Sequence, residues 1–394
     1  MDFVLLLLLL YFITQLFIGK ILEKYPTLSK KTLNNLFLYH LFFFVVYYIT
    51  TIISRSDSQE YYRNASLIGG NWKLIGNTST KFIDNFAAPF ASLGLSYESV
   101  MLLFSWFGYI GFVHAYLFFR ENIPVDVKVF KKYDLLSLLL FFPNMHFWTA
   151  SLGKGSLIFM GLMMFAFAIK RPRQRIVTLL IGGYFVYMIR PAVMLFVLGG
   201  VMIGLLTGRE KLGIGTRIIV VLASIAFLYS ASSTILGSVN IDQNSENVVE
   251  DFQDYASAQS DRLETSAGSG VNMQGYSLPF KFFTFWFRPL FVDSPGILGL
   301  FSSAENLVYL LLFLKICNLR FIGFIRKAPY MVKMSAITFL LASYAMTFVM
   351  SNLGIIMRQK TMVMYFGFFV VYYFLAEEQW KKEQQYKLDV SPVA

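Results

Sequence analysis

The stretch SLPFKFFTFWFRPLFVDSPGILGLFSSAEN, residues 277–306, carries most of the information about the fold of this chain. It is too aromatic for a solvated loop, and proline and glycine interrupt it too often for a plain membrane helix. It also holds Arg288, Asp293 and Glu305 among Phe, Trp and Leu. A charge at the bilayer centre costs about 2.5–3.5 kcal/mol on insertion scales, so these side chains should face protein or a wet cavity. Irregular backbone at membrane depth is likewise tolerated only where it is buried in protein or lines a water-filled cavity. We therefore predict a re-entrant or interfacial segment near 281–295.

The composition of the whole chain is that of a polytopic membrane protein. Of its 394 residues, 56% are hydrophobic and only 14% are charged, with a mean hydropathy of +0.58. Soluble domains carry about 25% charged residues. We predict one all-α integral membrane domain over residues 1–380, followed by a cytoplasmic tail at 381–394. The single cysteine, Cys317, excludes an internal disulfide and a cysteine-based metal cluster.

Apolar runs near the length that crosses a bilayer, about 20 residues, recur along the chain. The first run lacks a basic segment before it, so we interpret it as a retained span and not as a cleaved signal peptide. Eleven spans are expected, at 3–19, 35–53, 99–119, 134–150, 155–169, 176–189, 191–207, 218–236, 296–316, 334–351 and 361–376.

Lysine and arginine collect in alternate connections between these spans, which predicts that those connections are cytoplasmic. The basic connections are 20–31, 120–132, 170–175, 209–217, 320–333 and 381–387. The N-terminus is then outside and the C-terminus inside. This bias accounts for most of the net charge of +11, so no nucleic-acid partner is implied.

Two long loops are expected on the outer side. Loop 54–98 is polar, and loop 237–280 is rich in Asp and Glu and ends in a Ser/Gly stretch. We expect the second to be a mobile lid or partly disordered. The alternative is a solvated acidic loop without a role.

Five basic residues on the outer side are not explained by the orientation bias: Lys154, Arg190, Arg288, Arg358 and Lys360. Arginine stays charged and donates paired hydrogen bonds to phosphate, so four segments that bring cations to one level predict an anion site. The alternative is that each side chain merely extends from a helix end to the headgroups. That alternative applies best to Lys360 and least to Arg190.

Several acids and one histidine are candidates for proton transfer or binding. Asp57, just after the second span, is the first choice of general base toward a hydroxyl, with Glu60 and His146 in reserve. Asp57 could instead cap a helix or lie in a solvated loop, and His146 could be a structural partner in a helix end. Glu305 opens the ninth span, and Asp293 could simply pair with Arg288.

Aromatic side chains near these groups could stack on sugar rings or lie at the membrane interface. They are Tyr61, Tyr62, Trp148, Tyr276 and Trp286. No P-loop, HExxH, GxSxG or Cys/His metal spacing occurs, so neither a metal nor another cofactor is expected.

These segments, in this order, resemble the bacterial Wzy-type and EpsG-type polysaccharide polymerases, within the wider GT-C-like membrane glycosyltransferases. Asp57 followed by Tyr61-Tyr62 is similar to that family's aspartate-then-tyrosine motif. PNMHFWTASLGKGS, residues 143–156, looks like its proline, tryptophan and lysine segment, with Gly155 in place of the usual acid after the lysine. The later positions that resemble the family are Arg190-Pro191, Arg288-Pro289 with Glu305-Asn306, and Asn352 with Arg358.

The resemblance implies a glycosyltransferase that polymerises polyprenyl-diphosphate-linked repeat units into a surface polysaccharide such as O-antigen, capsule or exopolysaccharide. It would work at the outer face of the bacterial cytoplasmic membrane, with a lipid-linked donor and acceptor and with a flippase and a chain-length regulator nearby. Arg190, Arg288 and Arg358 would stabilise the leaving diphosphate. The residues expected to bind substrate are Glu60, Tyr61, Tyr62, His146, Trp148, Lys154, Trp286 and Glu305.

Three other functions are compatible with parts of this pattern. A ligase that moves a finished glycan would use the same donor and the same arginines. A transporter or flippase of lipid-linked oligosaccharide would place charges at the bilayer midplane, whereas here they are expected at one face. A membrane acyltransferase would need a more prominent histidine than His146.

Overall fold

The structure, a computed structural model, describes residues 1–209, 213–241, 247–265, 269–273, 275–294 and 296–390. These residues are overwhelmingly helical, which confirms the all-α class. The one sheet among them is an antiparallel pair of two-residue strands, β1 (Lys128–Val129) and β2 (Tyr133–Asp134).

The helices follow one another with short connections. In chain order they are α1 (Asp2–Lys24), α2 (Lys30–Ile53), α3 (Asp57–Ile68), α4 (Ser79–Ser92), α5 (Tyr97–Asn122), α6 (Leu135–Leu140), α7 (Pro143–Thr149), α8 (Lys154–Ala168), α9 (Ile176–Ile189), α10 (Pro191–Thr207), α11 (Ile214–Ser230), α12 (Ser232–Gly237), α13 (Val248–Thr265), α14 (Leu278–Phe287), α15 (Gly296–Leu314), α16 (Leu319–Lys327), α17 (Tyr330–Val349), α18 (Leu353–Gln359) and α19 (Met364–Val390). Single 3-10 turns occur at Gly69–Asn71, Phe291–Asp293 and Lys360–Met362.

Among the described residues, four helices are long and apolar enough to cross a membrane: α1, α2, α5 and α17. A fifth span results if Gly299–Leu314 and Leu319–Lys327, which meet at a bend of 81°, count as one. Shorter apolar helices cover Leu135–Thr149, Lys154–Ala168, Ile176–Ile189, Pro191–Thr207 and Arg217–Ser230. These helices overlap ten of the eleven expected spans; the last, 361–376, lies mostly within α19, which is not among them. The count of eleven crossings stays a prediction.

The outer surface of α1 shows why these helices suit a bilayer. Leu5, Leu8, Phe12 and Leu16 are all more than half exposed. In water such a continuous row of large apolar side chains would be a liability, because monomeric soluble proteins keep exposed apolar patches small. Hydrocarbon is the solvent that this surface fits.

The two long loops contain more structure than expected. Loop 54–98 holds α3 and α4. In loop 237–280, which was expected to be mobile or partly disordered, Val248–Thr265 forms α13. The chain after α13 is tied down by backbone hydrogen bonds from Val271 N to Ser351 O (2.9 Å) and from Leu353 N to Ser269 O (3.0 Å). Residues 242–246, 266–268 and 274 of this loop lie outside the described residues.

The chain divides into two compact units. Unit 1 comprises Met1–Arg120 and Leu140–Met194, and unit 2 comprises Glu121–Leu139 and Leu195–Ala394. Each has its own helix packing, and each holds one of the polar clusters that follow.

Glycines allow close helix contacts inside both units. In unit 1, a Cβ added at Gly182 of α9 would lie 2.8 Å from the carbonyl oxygen of Gly161 on α8. In unit 2, Gly200, Gly204 and Gly208 follow one face of α10 and its end, and added Cβ atoms there would lie 2.2–2.8 Å from atoms of α17. Small residues at four-residue spacing let membrane helices approach until their backbones touch.

Candidate functional site

The aromatic helix α14 ends in unit 2 at Arg288, its C-cap residue. The helix stops there because Pro289 has no N–H to donate and disfavours helical geometry in the residue before it. The Arg288–Pro289 peptide bond is cis. The chain then makes the 3-10 turn Phe291–Asp293 before α15. The segment predicted near 281–295 is therefore a helix followed by a turn, and its position relative to a membrane stays a prediction.

Arg288 and Asp293 form an ion pair through Arg288 Nε and Asp293 Oδ2, as one expectation had it. The other carboxylate oxygen accepts a hydrogen bond from Leu290 N at 2.6 Å. Both side chains are mostly buried, with 17% and 19% exposure. Burial alone would lower the pKa of Arg288, but hydrogen bonds to Asp293 and Tyr276 outweigh it and raise the pKa. The guanidinium is therefore a fixed, permanent positive charge.

Lys360 is fully buried beside this pair. Its Nζ donates to the carbonyl oxygen of Arg288 at 3.0 Å and to Asn306 Oδ1 at 2.5 Å. Asn306 Nδ2 in turn donates to the carbonyl oxygen of Pro289 at 2.7 Å. The expectation that Lys360 extends to the headgroups is thus wrong, because the nitrogen finds its partners inside the unit.

Glu305 and Trp286 were expected to bind substrate, but both side chains have partners inside unit 2. Glu305 is buried and accepts a hydrogen bond from the hydroxyl of Tyr309. Trp286 donates from Nε1 to Ser343 Oγ at 2.9 Å, and its ring stacks on Phe339 with centroids 5.0 Å apart. One ring face is therefore covered, which favours a packing role for Trp286 over sugar stacking.

Arg358 lies in the last turn of α18, half-buried and two residues before Lys360. Asn352 caps this helix by accepting a hydrogen bond from Ile355 N at 3.2 Å. Within unit 2 the structure thus joins Arg288, Asn306 and Lys360 by direct hydrogen bonds, with Arg358 on the adjoining turn. These are three of the segments that carry the family resemblance.

In unit 1, Asp57 and Glu60 lie on the exposed side of α3. Ser56 is the N-cap of that helix and forms a capping box with Gln59, so Asp57 is an exposed acid in the first turn. An acid there is stabilised by the helix dipole. Glu60 lies 3.9 Å from both Arg55 and Arg63. These positions favour a structural role for Asp57 over that of a general base.

Asp84 on α4 is the carboxylate that the sequence analysis missed. It is 8% exposed and shares the buried face of α4 with Ile83, Ala87 and Ala88. Its Oδ2 accepts from Asn64 Nδ2 at 3.4 Å, and its buried Oδ1 has no hydrogen-bond partner among the described residues. Burial raises the pKa of Asp84, although Asn64 and Lys154 partly offset the effect. An acid at apolar-face spacing on a short helix was the available signal.

Lys154 begins α8 and donates from Nζ to Ser79 Oγ at 2.9 Å, at the start of α4. Gly155 follows it where a Cβ would lie 2.2 Å from the carbonyl oxygen of Trp148. The acid that the resemblance leads us to expect after the lysine would not fit at this position, because even its Cβ would overlap this carbonyl oxygen. Tyr61 is buried and lies against Gly153, since a Cβ at 153 would be 3.3 Å from its ring.

The remaining candidates of unit 1 make internal contacts. Tyr62 donates to the carbonyl oxygen of Leu95 at 2.8 Å, and Trp148 donates to Asn144 Oδ1 at 3.1 Å. Arg190 is the half-buried C-cap residue of α9, where the chain turns into α10.

His146 is completely buried, and both of its ring nitrogens are used. Nε2 lies 2.8 Å from the carbonyl oxygen of Leu140, and Nδ1 lies 2.9 Å from His40 Nδ1. Since a carbonyl only accepts, Nε2 carries the proton and Nδ1 accepts from His40. The ring also stacks on Phe112 with centroids 3.8 Å apart. This arrangement favours the structural role over that of a base or substrate contact.

No family model, curated protein or solved structure matches this chain. In the part of the chain that the structure describes, no group of three or more His, Cys, Asp or Glu side chains could hold a metal ion. The function is therefore argued from the two polar clusters.

Proposed function

We propose that this chain is a membrane glycosyltransferase that lengthens a glycan carried on a polyprenyl diphosphate, as a polysaccharide polymerase does. The observation that carries the proposal is that Lys360 Nζ, in unit 2, donates a hydrogen bond of 3.0 Å to the backbone carbonyl oxygen of Arg288. Two basic residues from segments far apart in the chain thus meet at one polar centre, which also holds Asp293. Such a centre suits an anion whose carrier is a membrane lipid.

The guanidinium of Arg288 is positioned to bind an anion. A guanidinium has five N–H donors, and Asp293 is bonded at Nε, so donors remain for a phosphate oxygen. Asp293 neutralises part of the charge. Arg358 lies in the last turn of α18, two residues before Lys360. Preorganised donors of this kind stabilise charge that develops on a leaving group.

In the proposed reaction an acceptor hydroxyl oxygen attacks the anomeric carbon of the donor sugar. The bond from that carbon to the diphosphate oxygen breaks, and the bonding electron pair leaves with the diphosphate. The hydroxyl proton passes to a base or to water. Because diphosphate is a good leaving group, a dedicated base contributes little to the rate. The role assigned to Arg288 is to stabilise the charge on the departing diphosphate.

A transporter or flippase of lipid-linked oligosaccharide is the second candidate. The complete burial of Lys360, with Asn306 and Tyr309 around it, favours it. Ionisable groups inside a helix bundle commonly mark a transport path. A glycan ligase would share the donor site and would differ only in the acceptor.

The test uses the purified protein in lipid nanodiscs with polyprenyl-diphosphate-linked repeat units as donor and acceptor. Product length is followed on a gel for the parent, Arg288→Ala, Arg288→Lys and Arg358→Ala. Arg320→Ala is the matched control, because Arg320 is exposed and pairs with Glu378 at 3.2 Å. We expect Arg288→Ala to lose about 10²–10³-fold in rate, Arg288→Lys to lose less, and Arg320→Ala to match the parent.

Two outcomes would overturn this proposal. One is a folded Arg288→Ala protein that polymerises at the parent rate. The other is a parent that makes no longer product but moves the lipid-linked glycan across vesicles, which would support the transporter. Transfer only to a separate, non-repeating acceptor would support the ligase.

A further inference from the structure

Unit 1 contains a second cationic site, formed by residues to which no role is assigned above. A cavity of about 290 Å³ opens where α1 ends and α9 begins. Its polar lining consists of Lys24, Tyr25, His114, Gln174, Arg175 and Thr178. Lys24 and Arg175 are the basic side chains among the described residues that line it, and no Asp or Glu is among those residues.

Arg175 is held in place at the wall of this cavity. It is only 6% exposed, and its Nη1 donates to the carbonyl oxygen of Phe167 at 2.8 Å. Its guanidinium carbon lies 3.8 Å from the centroid of the Phe167 ring and 5.8 Å from that of Tyr25. A guanidinium fixed between two rings has little conformational entropy to lose when it binds an anion.

The beginning of α9 adds donors to the same cavity. Ile176, Val177 and Thr178 are the first three residues of this 14-residue helix, and all three line the cavity. The first N–H groups of a helix have no acceptor within it and carry positive partial charge. The N-cap residue, Arg175, provides no side-chain cap. Backbone donors beside two cations form a phosphate-binding arrangement.

His114 is the second polar side chain that is more than nine-tenths buried at this cavity. Its Nδ1 lies 2.9 Å from the carbonyl oxygen of Ile110 and must therefore carry the ring proton. The other nitrogen, Nε2, is then an acceptor in the neutral ring. A ligand with a hydroxyl next to its phosphate would satisfy this nitrogen and the cations together.

The apolar part of the lining indicates the source of the phosphate. Phe17, Ile21 and Leu117 continue the cavity wall along helices that are long and apolar enough to cross a membrane. Lys170, Arg171 and Arg173 precede α9 and add positive charge nearby. The predicted orientation places this cavity on the cytoplasmic side. Basic pockets between membrane helices on that side bind anionic lipid headgroups.

We propose that this cavity binds the phosphate of an anionic phospholipid with a hydroxylated headgroup. Lys24, Arg175 and the first N–H groups of α9 bind the phosphate, and His114 accepts from a headgroup hydroxyl. The site is independent of the glycan-diphosphate site proposed for unit 2.

The experiment measures lipid binding to the full chain in detergent by native mass spectrometry and by the shift in thermal midpoint. The probes are phosphatidylglycerol, phosphatidylcholine and inorganic phosphate. We expect phosphatidylglycerol to bind at least fivefold more tightly than phosphatidylcholine, with the difference shrinking at high salt. Lys24→Gln and Arg175→Gln should each weaken this binding at least fivefold.

Lys31→Gln is the matched control, because Lys31 is an exposed basic residue in the same unit. It should bind like the parent. If Arg175→Gln fails to fold, the exposed Lys24 still provides the test. Equal binding of both lipids, or parent-like binding by Lys24→Gln, would overturn the proposal. If inorganic phosphate shifts the thermal midpoint and phosphatidylglycerol does not, the cavity binds free phosphate and the proposal of a lipid ligand is wrong.

Discussion

Lys360 donates a hydrogen bond from Nζ to the carbonyl oxygen of Arg288, although 72 residues separate the two in the chain. The same nitrogen donates to Asn306 Oδ1, so one buried ammonium connects the turn after α14, helix α15 and the turn before α19. Breaking a buried polar network leaves its remaining members unsatisfied, which is costly. Lys360 therefore stabilises the geometry in which Arg288 could meet an anion.

Replacing Lys360 with Met should destabilise the protein by about 1–3 kcal/mol, the usual cost of leaving a buried polar group without its partner. The carbonyl oxygen of Arg288 and Asn306 Oδ1 would both lose a donor. The measurement is the thermal midpoint in detergent. Lys382→Met, at an exposed position of α19, is the control and should leave the midpoint unchanged. A parent-like midpoint for Lys360→Met would show that the network contributes nothing.

Gly155→Ala should also destabilise the protein, because the new Cβ would lie 2.2 Å from the carbonyl oxygen of Trp148. Overpacking of this kind costs about 1–3 kcal/mol. Gly19→Ala is the comparison, since nothing lies within 4 Å of a Cβ at that helical position. The thermal midpoint should fall for the first variant and hold or rise for the second. Gly155→Glu should be worse than Gly155→Ala; equal stability of the two would contradict the close contact.

Asp84→Asn should stabilise the protein at neutral pH. Burial raises the pKa of Asp84, so the folded state holds the proton more tightly than the unfolded state does. The stability that this group contributes is full below its ordinary pKa of about 3.9. That contribution is lost as the pH rises through the raised value. Asparagine cannot ionise, so its advantage over the parent should grow with pH.

Thermal midpoints of the parent and Asp84→Asn between pH 4 and pH 8 test this expectation. Glu60, Asn64 and Lys154 are the groups that act on Asp84 and should be left intact. Asp57→Asn, on an exposed turn, serves as the control and should give no such gain. Parallel pH curves for Asp84→Asn and the parent would mean that the carboxylate is not strained by burial.

Asn352→Ala should loosen the chain that follows α13. Asn352 Oδ1 accepts from Ile355 N at the start of α18 and from Ser269 Oγ at 2.8 Å. Loss of an N-cap costs about 0.5–2 kcal/mol. Hydrogen exchange of 269–273 should become faster. Asn352→Asp keeps the acceptor and should behave more like the parent; equally fast exchange in the two variants would assign the effect elsewhere.

The predicted orientation places Lys81 outside the cell and Lys131 in the cytoplasm, and both side chains are exposed. In a Cys317→Ser background, a membrane-impermeant maleimide should label Lys81→Cys in intact cells. It should label Lys131→Cys only after lysis, because the bilayer excludes the reagent. The reverse pattern would invert the topology and would move the Arg288 site to the cytoplasmic face.

The helices themselves follow from the local sequence, because the spacing of apolar residues and the position of proline act over only a few residues. The predicted spans 176–189 and 191–207 coincide with α9 and α10, since Arg175 and Pro191 mark their starts. The ion pair of Arg288 with Asp293 was also predictable, because the two residues are close together in the chain.

The burial of the polar groups, and the partners that they find, depend on how the helices pack in three dimensions. Lys360 was expected at the headgroups and Asp84 was overlooked, yet both are buried. A lysine near a helix end either extends to water or turns inward. The choice depends on whether distant segments, here those of Arg288 and Asn306, supply acceptors. Local sequence does not contain that information, because the partners meet only when the helices have packed.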